Sequence, residues 1–222
     1  MEILCCLERG RRIELLALAW KAKVLPLYEP RVLNTYMIII TPVDKEHNLF
    51  SVENVYSEEL IAKILALDLM SYPHTAVDWQ EHMPRRRLQF DHEDILFQLT
   101  TETMANREKI SKEIGIEIKE ANASVWLDHS QFSMGIHEDN SAVDIAMQVY
   151  LLPNDVSIGT KFYYPLVVAP STRYPGSMRY DFPYTVNTGY IMINAPGQFH
   201  GATKSAPAGT LRCSSYTYLT RA

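Results

Sequence analysis

Cysteine is scarce in this 222-residue chain, which contains only Cys5, Cys6 and Cys213. Three cysteines cannot build the dense disulfide framework of small secreted domains, and this usage fits a reducing cytoplasm. Long apolar runs are also lacking, because no segment approaches the roughly 20 consecutive apolar residues that cross a bilayer. The two absences exclude a disulfide-stabilised scaffold and a helical membrane protein, and they predict a cytoplasmic protein without a membrane partner.

The chain also lacks an excess of positive charge. Its 21 Lys and Arg residues are outnumbered by 26 Asp and Glu residues, so the net charge is −5. Because affinity for a phosphate backbone comes from Lys and Arg, general nucleic-acid binding is not expected, although a local basic groove is compatible with this charge. Internal repeats and low-complexity tracts are absent. The length and the hydrophobic fraction of 47% predict one packed domain.

Residues 1–36 differ in composition from the rest of the chain. They carry six Lys or Arg residues against four Asp or Glu residues. The apolar stretch at 15–20 is too short for a signal sequence and is followed by no small-residue cleavage site. A first strand is predicted at 36–42, where Met37 is a usable initiator. We therefore predict that residues 1–36 are an extension outside the native domain, which then spans 37–222.

The hydrophobic pattern predicts helices first and short strands afterwards. One helix follows Ser57, a natural N-cap with Glu58 and Glu59 in the first turn. A second helix runs from residue 91 or 92 to about Ile114, with Gly115 as its stop. Strands are predicted at 123–128, 132–137, 143–151, 160–164, 186–194 and 211–219. This order indicates an α+β fold with the helices on the outer face of one sheet.

Two histidines and an aspartate form a candidate metal site. His137 and Asp139 follow a predicted strand and a turn at Gly135, and positions two apart in extended chain face the same side. His200 follows a second apolar strand and the turn at 196–197. Two His and one carboxylate leave open coordination positions, as in non-heme Fe(II) oxygenases, whereas structural zinc usually takes four protein ligands. A catalytic zinc would accept the same three ligands.

A candidate clamp for a carboxylate lies at the start of the last predicted strand. Arg212 and Ser214 are two residues apart and project from the same side of that strand. A planar guanidinium and a hydroxyl together suit a carboxylate, although Arg212 would equally pair with a surface acid. A metal with open positions beside such a clamp is what an oxidase fed by a 2-oxo diacid needs.

The segments that contain these residues resemble the iron(II)- and 2-oxoglutarate-dependent dioxygenases, with their His-x-Asp…His…Arg-x-Ser signature. The resemblance is greatest to the small 2-oxoglutarate oxygenases of marine bacteria and their phages. It covers roughly residues 50–220 and is strongest from residue 123 onward. It is carried by the stretches 125–128, 135–140, 146–151, 187–194, 199–201 and 212–216.

The resemblance implies a double-stranded β-helix, which is a jelly roll of two antiparallel sheets, with iron at one mouth. It implies that Fe(II) is bound by His137, Asp139 and His200, and that Arg212 with Ser214 holds the distal carboxylate of 2-oxoglutarate. The expected reaction consumes O₂ and 2-oxoglutarate, releases succinate and CO₂, and usually hydroxylates a C–H bond. It does not imply a substrate, because relatives modify proteins, nucleic acids, lipids and small metabolites.

Two aromatic strand residues, Trp126 and Tyr150, are further candidates. By the same resemblance one of them contacts 2-oxoglutarate, although aromatic residues in strands are more often core packing. Long ordered loops are often lids or binding loops, and a loop is predicted at 165–183. We expect either this loop or the basic run at 85–87 to border the metal pocket and to receive an anionic substrate. Two solvated loops on the far side are an equal alternative.

Two other classes of function remain open. One is a metal-dependent enzyme of another reaction class on a cupin-like barrel, although cupin sites usually have a His-x-His pair where this chain has Asp139. The other is a non-catalytic binding module that keeps the jelly roll. Intact ligands favour the enzyme, because a degenerate site would usually have lost one of them.

Overall fold

The computed structural model describes residues 37–46, 48–69, 85–88, 93–140, 142–153, 158–169, 171–204 and 207–222. Its helices are α1 (Glu58–Leu65), α2 (Glu93–Ala105) and α3 (Arg107–Ile114). Its strands are β1 (Ile39–Asp44), β2 (Leu49–Glu53), β3 (Arg85–Arg87), β4 (Ile118–Asp128), β5 (Ile145–Tyr150), β6 (Thr160–Ala169), β7 (Thr172–Phe182), β8 (Thr188–Ile193), β9 (Phe199–Gly201) and β10 (Arg212–Arg221). The predicted extension at 1–36 lies outside the described residues.

The strands form two antiparallel sheets. The large sheet has the order β1-β2-β8-β5-β10-β4-β3, and the small sheet has the order β7-β6-β9. Strands that are far apart in sequence pair in the large sheet: β10 lies between β4 and β5, and β8 lies between β2 and β5. This arrangement confirms the predicted double-stranded β-helix with flanking helices.

The helices pack on one face of the large sheet, as predicted. Leu60 and Ile64 of α1 and Leu99 of α2 belong to one buried cluster with Val125 of β4 and Ile191 of β8. The opposite face of the sheet contributes to a second cluster, in which the apolar and aromatic residues Leu49, Ala146, Phe162, Phe182, Tyr190 and Met192 meet. The described residues therefore form a helical layer, the large sheet and the small sheet in succession.

The helix ends follow the capping residues that the sequence supplies. Ser57 Oγ accepts a hydrogen bond from the Leu60 N–H at 3.2 Å, so it caps α1. Gly115 ends α3 in the left-handed conformation, with φ of 74°. The single helix predicted up to Ile114 is wrong, because Asn106 leaves helical geometry and divides it into α2 and α3. The predicted start at 91 or 92 lies outside the described residues.

The predicted loop at 165–183 is also wrong. Most of these residues belong to β6 and β7, which form a long hairpin with Pro165 opposite Pro175. Proline lacks a ladder donor and normally argues against a strand. Here β7 is an edge strand, and β9 pairs only with residues 161–163 of β6. Pro165 and Pro175 therefore have no strand on their outer side that would require an N–H donor.

Two other predicted assignments change. Residues 132–137 do not form a strand; they follow Gln131, which has φ of 71°, and only His137 makes an isolated bridge, to His200. Residues 85–87 are strand β3 at the edge of the large sheet rather than a loop. Within the described residues, no helix is long and apolar enough to cross a membrane.

Candidate metal centre

The structure brings His137, Asp139 and His200 together. One ligand atom from each side chain lies within 4.8 Å of the other two. The Oδ1 atom of Asp139 is 3.7 Å from Nε2 of His137 and 3.6 Å from Nε2 of His200. Metal–ligand bonds are about 2 Å long, so three donors at these separations can surround one ion after small side-chain shifts.

Backbone pairing positions the two imidazoles. His137 and His200 exchange N–H···O=C bonds of 2.9 Å, which places their rings side by side with centroids 4.5 Å apart. The Nδ1 atom of His137 lies 2.9 Å from the carbonyl oxygen of Gly135, and Nδ1 of His200 lies 3.1 Å from that of Gln198. A carbonyl only accepts, so each Nδ1 carries the proton and each Nε2 presents a lone pair to the site.

The protonation of His200 suits a metal ligand. The imidazole is buried and stacks on Phe162, with ring centroids 5.3 Å apart. Burial lowers the pKa of His200, and this outweighs the opposing effect of the Asp139 carboxylate. The neutral imidazole is the form that coordinates a metal.

The carboxylate of Asp139 is oriented by a tyrosine. Tyr216 donates from its hydroxyl to Oδ2 of Asp139 at 2.7 Å, which leaves Oδ1 directed at the two histidines. Burial, with Tyr190 and Asp139 close by, raises the pKa of Tyr216 far above its ordinary value. Tyr216 therefore stays protonated and remains a donor.

One cavity of about 150 Å³ joins the three ligands to Arg212. It lies between the two sheets, because its wall includes Gln148 and Arg212 of the large sheet and Thr160 and His200 of the small sheet. The three predicted metal ligands and Arg212 thus line one cavity, whereas Ser214 is not among its lining residues.

Arg212 is a buried cation with unused donors. Its side chain is 2% exposed, and its Nε and Nη1 atoms have no hydrogen-bond partner. The guanidinium carbon lies 5.4–5.9 Å from the ring centroids of Phe132, Tyr150 and Tyr184. Buried donors without partners are costly, so this group is built to meet an acceptor that enters the cavity.

The other predicted co-substrate residues differ in position. Trp126 lines the cavity. Ser214 is buried and accepts a hydrogen bond of 3.0 Å from Nε2 of Gln148, whose Oε1 accepts one of 2.6 Å from the Tyr190 hydroxyl. Tyr150 packs against Arg212, and its hydroxyl donates to Oγ1 of Thr160 at 3.0 Å. Contacts of these residues with 2-oxoglutarate remain predictions.

The basic run borders the site through one residue. Arg85 lines the cavity, and its Nε donates to Oδ1 of the fully buried Asp128 at 2.7 Å. Its guanidinium carbon lies 4.9 Å from the ring centroids of both Trp126 and Phe132. Recognition of an anionic substrate by this segment remains a prediction.

Tyr216, Asp128 and Gln148 were not among the predicted site residues. The signal for Tyr216 was the alternation of β10, which puts residues 212, 214, 216 and 218 on one face. Gln148 shares a face with Tyr150 on β5 by the same rule. Asp128 had no local signal, because its role depends on pairing with strands far away in the sequence.

Comparison with known proteins supports the architecture. The chain matches no protein-family model and no curated protein sequence. A prolyl-4-hydroxylase from Pseudomonas putida is similar in structure at 11% identity, with a TM-score of 0.52 over 79% of this chain and 94% of that one. The fold is that of the 2-oxoglutarate/Fe(II) oxygenases.

Two further oxygenases have the same fold. The non-heme alpha-ketoglutarate-dependent epimerase SnoN, from nogalamycin biosynthesis, has a TM-score of 0.54 at 14% identity, over 78% of each chain. HygX from Streptomyces hygroscopicus, solved with nickel, 2-oxoglutarate and hygromycin B bound, has a TM-score of 0.53 at 11% identity, over 78% of this chain and 83% of that one. At these identities the likeness establishes the fold alone.

Proposed function

We propose that this chain is an Fe(II)- and 2-oxoglutarate-dependent dioxygenase that hydroxylates a C–H bond of its substrate and releases succinate and CO₂. One observation carries the proposal. A His-Asp-His triad and a buried arginine, two of whose nitrogens have no hydrogen-bond partner, line the same cavity. Neither feature alone selects this chemistry, but the two together match a metal ion and a co-substrate with a free carboxylate.

The donor set fits Fe(II). His137, Asp139 and His200 supply two neutral imidazole nitrogens and one carboxylate oxygen, which leave positions open on an octahedral ion. Bound Fe(II) together with 2-oxoglutarate and O₂ would supply the oxidising chemistry. The protein's part is to fix the three donors, and the backbone acceptors of both Nδ1–H groups and the Tyr216 hydroxyl do so.

Arg212 fits the distal carboxylate of 2-oxoglutarate. A buried guanidinium makes short, charge-assisted and often bidentate contacts with a carboxylate. The rings of Phe132, Tyr150 and Tyr184 surround it and exclude water, which strengthens such a contact. The distal carboxylate would then accept hydrogen bonds from Nε and Nη1, which otherwise have no hydrogen-bond partner.

Hydroxylation is the proposed outcome because a prolyl-4-hydroxylase is among the structural neighbours. Another neighbour is an epimerase, so the reaction outcome is set by the substrate and its placement rather than by the fold. The substrate is unidentified, and we propose a cytoplasmic location from the cysteine usage of the sequence.

Conversion of 2-oxoglutarate to succinate tests the proposal. The purified protein is incubated with Fe(II), ascorbate, O₂ and 2-oxoglutarate, alone and with panels of amino acids, peptides, nucleotides and lipids. We expect succinate formation that requires Fe(II) and is abolished in His137→Ala and Asp139→Ala, with their unfolding transitions retained. Equal succinate formation in these variants would contradict the assignment, and hydrolysis of a panel member with Zn(II) would favour a metallohydrolase.

A further inference from the structure

We propose that Asp128 and Arg85 are positioning residues for Arg212. The Arg85–Asp128 ion pair holds the guanidinium in the orientation that meets the distal carboxylate of 2-oxoglutarate. This inference deepens the proposed function and rests on it. Asp128 is fully buried beside the cavity, and Arg85 of the basic run lines it.

Strand register places the three side chains in a row. Asp128 of β4 is opposite Arg212 of β10 on one side and opposite Arg85 of β3 on the other. Directly opposed residues of antiparallel strands point to the same face of the sheet, which here is the cavity face. A fully buried carboxylate is costly unless cations compensate it, and two guanidinium groups flank this one.

The contacts on the two sides of Asp128 are unequal. Oδ1 accepts the 2.7 Å hydrogen bond from Nε of Arg85, whereas Oδ2 has no hydrogen-bond partner and lies 3.9 Å from Nε of Arg212. Asp128 is therefore fixed by Arg85 and presents its unused oxygen to Arg212. Because a guanidinium is planar and rigid, an oxygen that attracts the Nε edge also sets where the terminal nitrogens point.

Arg85 is an anchor rather than a mobile cation. It lies 4.9 Å from the ring centroids of Trp126 and Phe132, and its side chain is 19% exposed. Two guanidinium groups and one carboxylate leave a net charge of +1 in the row. The distal carboxylate of 2-oxoglutarate would balance that charge, so Arg85 would contribute to co-substrate binding through Asp128.

A single substitution shows whether Asp128 orients Arg212 or acts only through its negative charge. Asp128→Asn keeps the shape and removes a negative charge near the proposed anion site. If Asp128 acted only through its charge, this variant would bind 2-oxoglutarate more tightly. Positioning predicts the opposite, a loss of roughly 10-fold in affinity, which corresponds to about 1.4 kcal/mol. Arg85→Gln should also weaken binding, because Asp128 then loses its anchor.

Calorimetric titration of the Fe(II)-loaded protein, without oxygen, provides the test. Each variant is titrated with 2-oxoglutarate and with 2-oxobutyrate, which has the same chelating end but no distal carboxylate. We expect both variants to lose affinity for 2-oxoglutarate and to keep wild-type affinity for 2-oxobutyrate and for the metal. Arg87→Gln is the matched control, because Arg87 is exposed on the same strand and its loss removes the same charge.

A second test measures 2-oxoglutarate affinity in a protein that already carries Arg212→Ala. In Arg212→Ala, Asp128→Asn should cause no further loss of 2-oxoglutarate affinity, because the effect passes through Arg212. Wild-type affinity in both Asp128→Asn and Arg85→Gln, or an equal loss for 2-oxobutyrate, would overturn the inference alone. If Asp128→Asn does not fold, the partly exposed Arg85→Gln decides the question. A wild-type protein that binds no 2-oxoglutarate would overturn the proposed function as well.

Discussion

Tyr216 determines which oxygen of Asp139 faces the two histidines. Its hydroxyl occupies Oδ2 at 2.7 Å, and Oδ1 then lies within 3.7 Å of both Nε2 atoms. Hydrogen bonds to metal ligands from neighbouring groups typically change metal affinity by 10- to 100-fold when they are removed. The hydroxyl is therefore part of the metal centre although it donates no lone pair to it.

Removal of that hydroxyl should weaken metal binding. Tyr216→Phe keeps the ring and frees Asp139 to rotate, so we expect an affinity for Ni(II) or Fe(II) lower by roughly 10- to 100-fold, measured by calorimetry. Tyr218→Phe is the control, because Tyr218 lies on the same face of β10 and also lines the cavity. Equal affinities in both variants would show that the Asp139 contact does not orient the ligand.

Substitution of Arg212 should separate co-substrate binding from metal binding. Arg212→Ala removes a charged hydrogen-bond partner worth about 1.5–3 kcal/mol, or roughly 10- to 150-fold in 2-oxoglutarate affinity. Arg212→Lys should restore only part of this loss, because an ammonium cannot form the planar fork. Titrations with metal and with 2-oxoglutarate check this, and an unchanged 2-oxoglutarate affinity in Arg212→Ala would contradict the clamp.

Local spacing explains which site residues could be predicted. His137 and Asp139 share a face because they are two apart in extended chain, and Arg212 and Ser214 share one for the same reason. The contact between Asp128 and Arg212 could not be predicted, because it depends on a strand pairing between residues 84 positions apart in sequence. Such pairings depend on the order of strands in the sheet, which no short motif encodes.

At the scale of elements, the close packing of β5 and β8 depends on a glycine. A Cβ atom at Gly189 would lie 1.8 Å from the backbone oxygen of Gln148, so any larger residue must push the two strands apart. Gly135 offers a contrast, since no atom lies within 4 Å of an added Cβ there. A side chain is therefore excluded at Gly189 but has room at Gly135.

Alanine substitution should reveal this difference. Gly189→Ala should lower the free energy of unfolding by about 3 kcal/mol, the upper range for overpacking, because backbone rather than a flexible side chain must move. Gly135→Ala should change the free energy of unfolding by less than about 0.5 kcal/mol. Urea denaturation measures both, and equal losses would mean that the β5–β8 spacing is not limited by Gly189.

Helix ends were predicted correctly where a contact within a few residues defines them. The cap at Ser57 and the stop at Gly115 were predicted because each uses a contact within a few residues. The β6–β7 hairpin was missed because Pro165 and Pro175 indicate a loop unless the strands are known to lack a further partner there. The edge position of β7 is a property of the whole sheet.

At the scale of the molecule, residues from Met37 onward supply the helical layer, both sheets and the cavity. We propose that residues 1–36 are not needed for this domain. Deletion of 1–36 should leave the melting temperature and the metal affinity unchanged. Deletion of 1–44 is the control and should lower the melting temperature, because it removes β1 and the buried side chains of Ile38 and Ile40. A large loss of stability in the shorter deletion would contradict the proposal.

The central claim is that one cavity between the sheets holds a metal and, through that metal and Arg212, 2-oxoglutarate. The most direct measurement is calorimetric titration of 2-oxoglutarate into the wild-type protein without oxygen, with and without Fe(II). We expect one molecule of 2-oxoglutarate to bind per chain with Fe(II), and a much weaker interaction without it. The same affinity in both conditions, or no binding in either, would mean that this cavity does not hold 2-oxoglutarate through a metal.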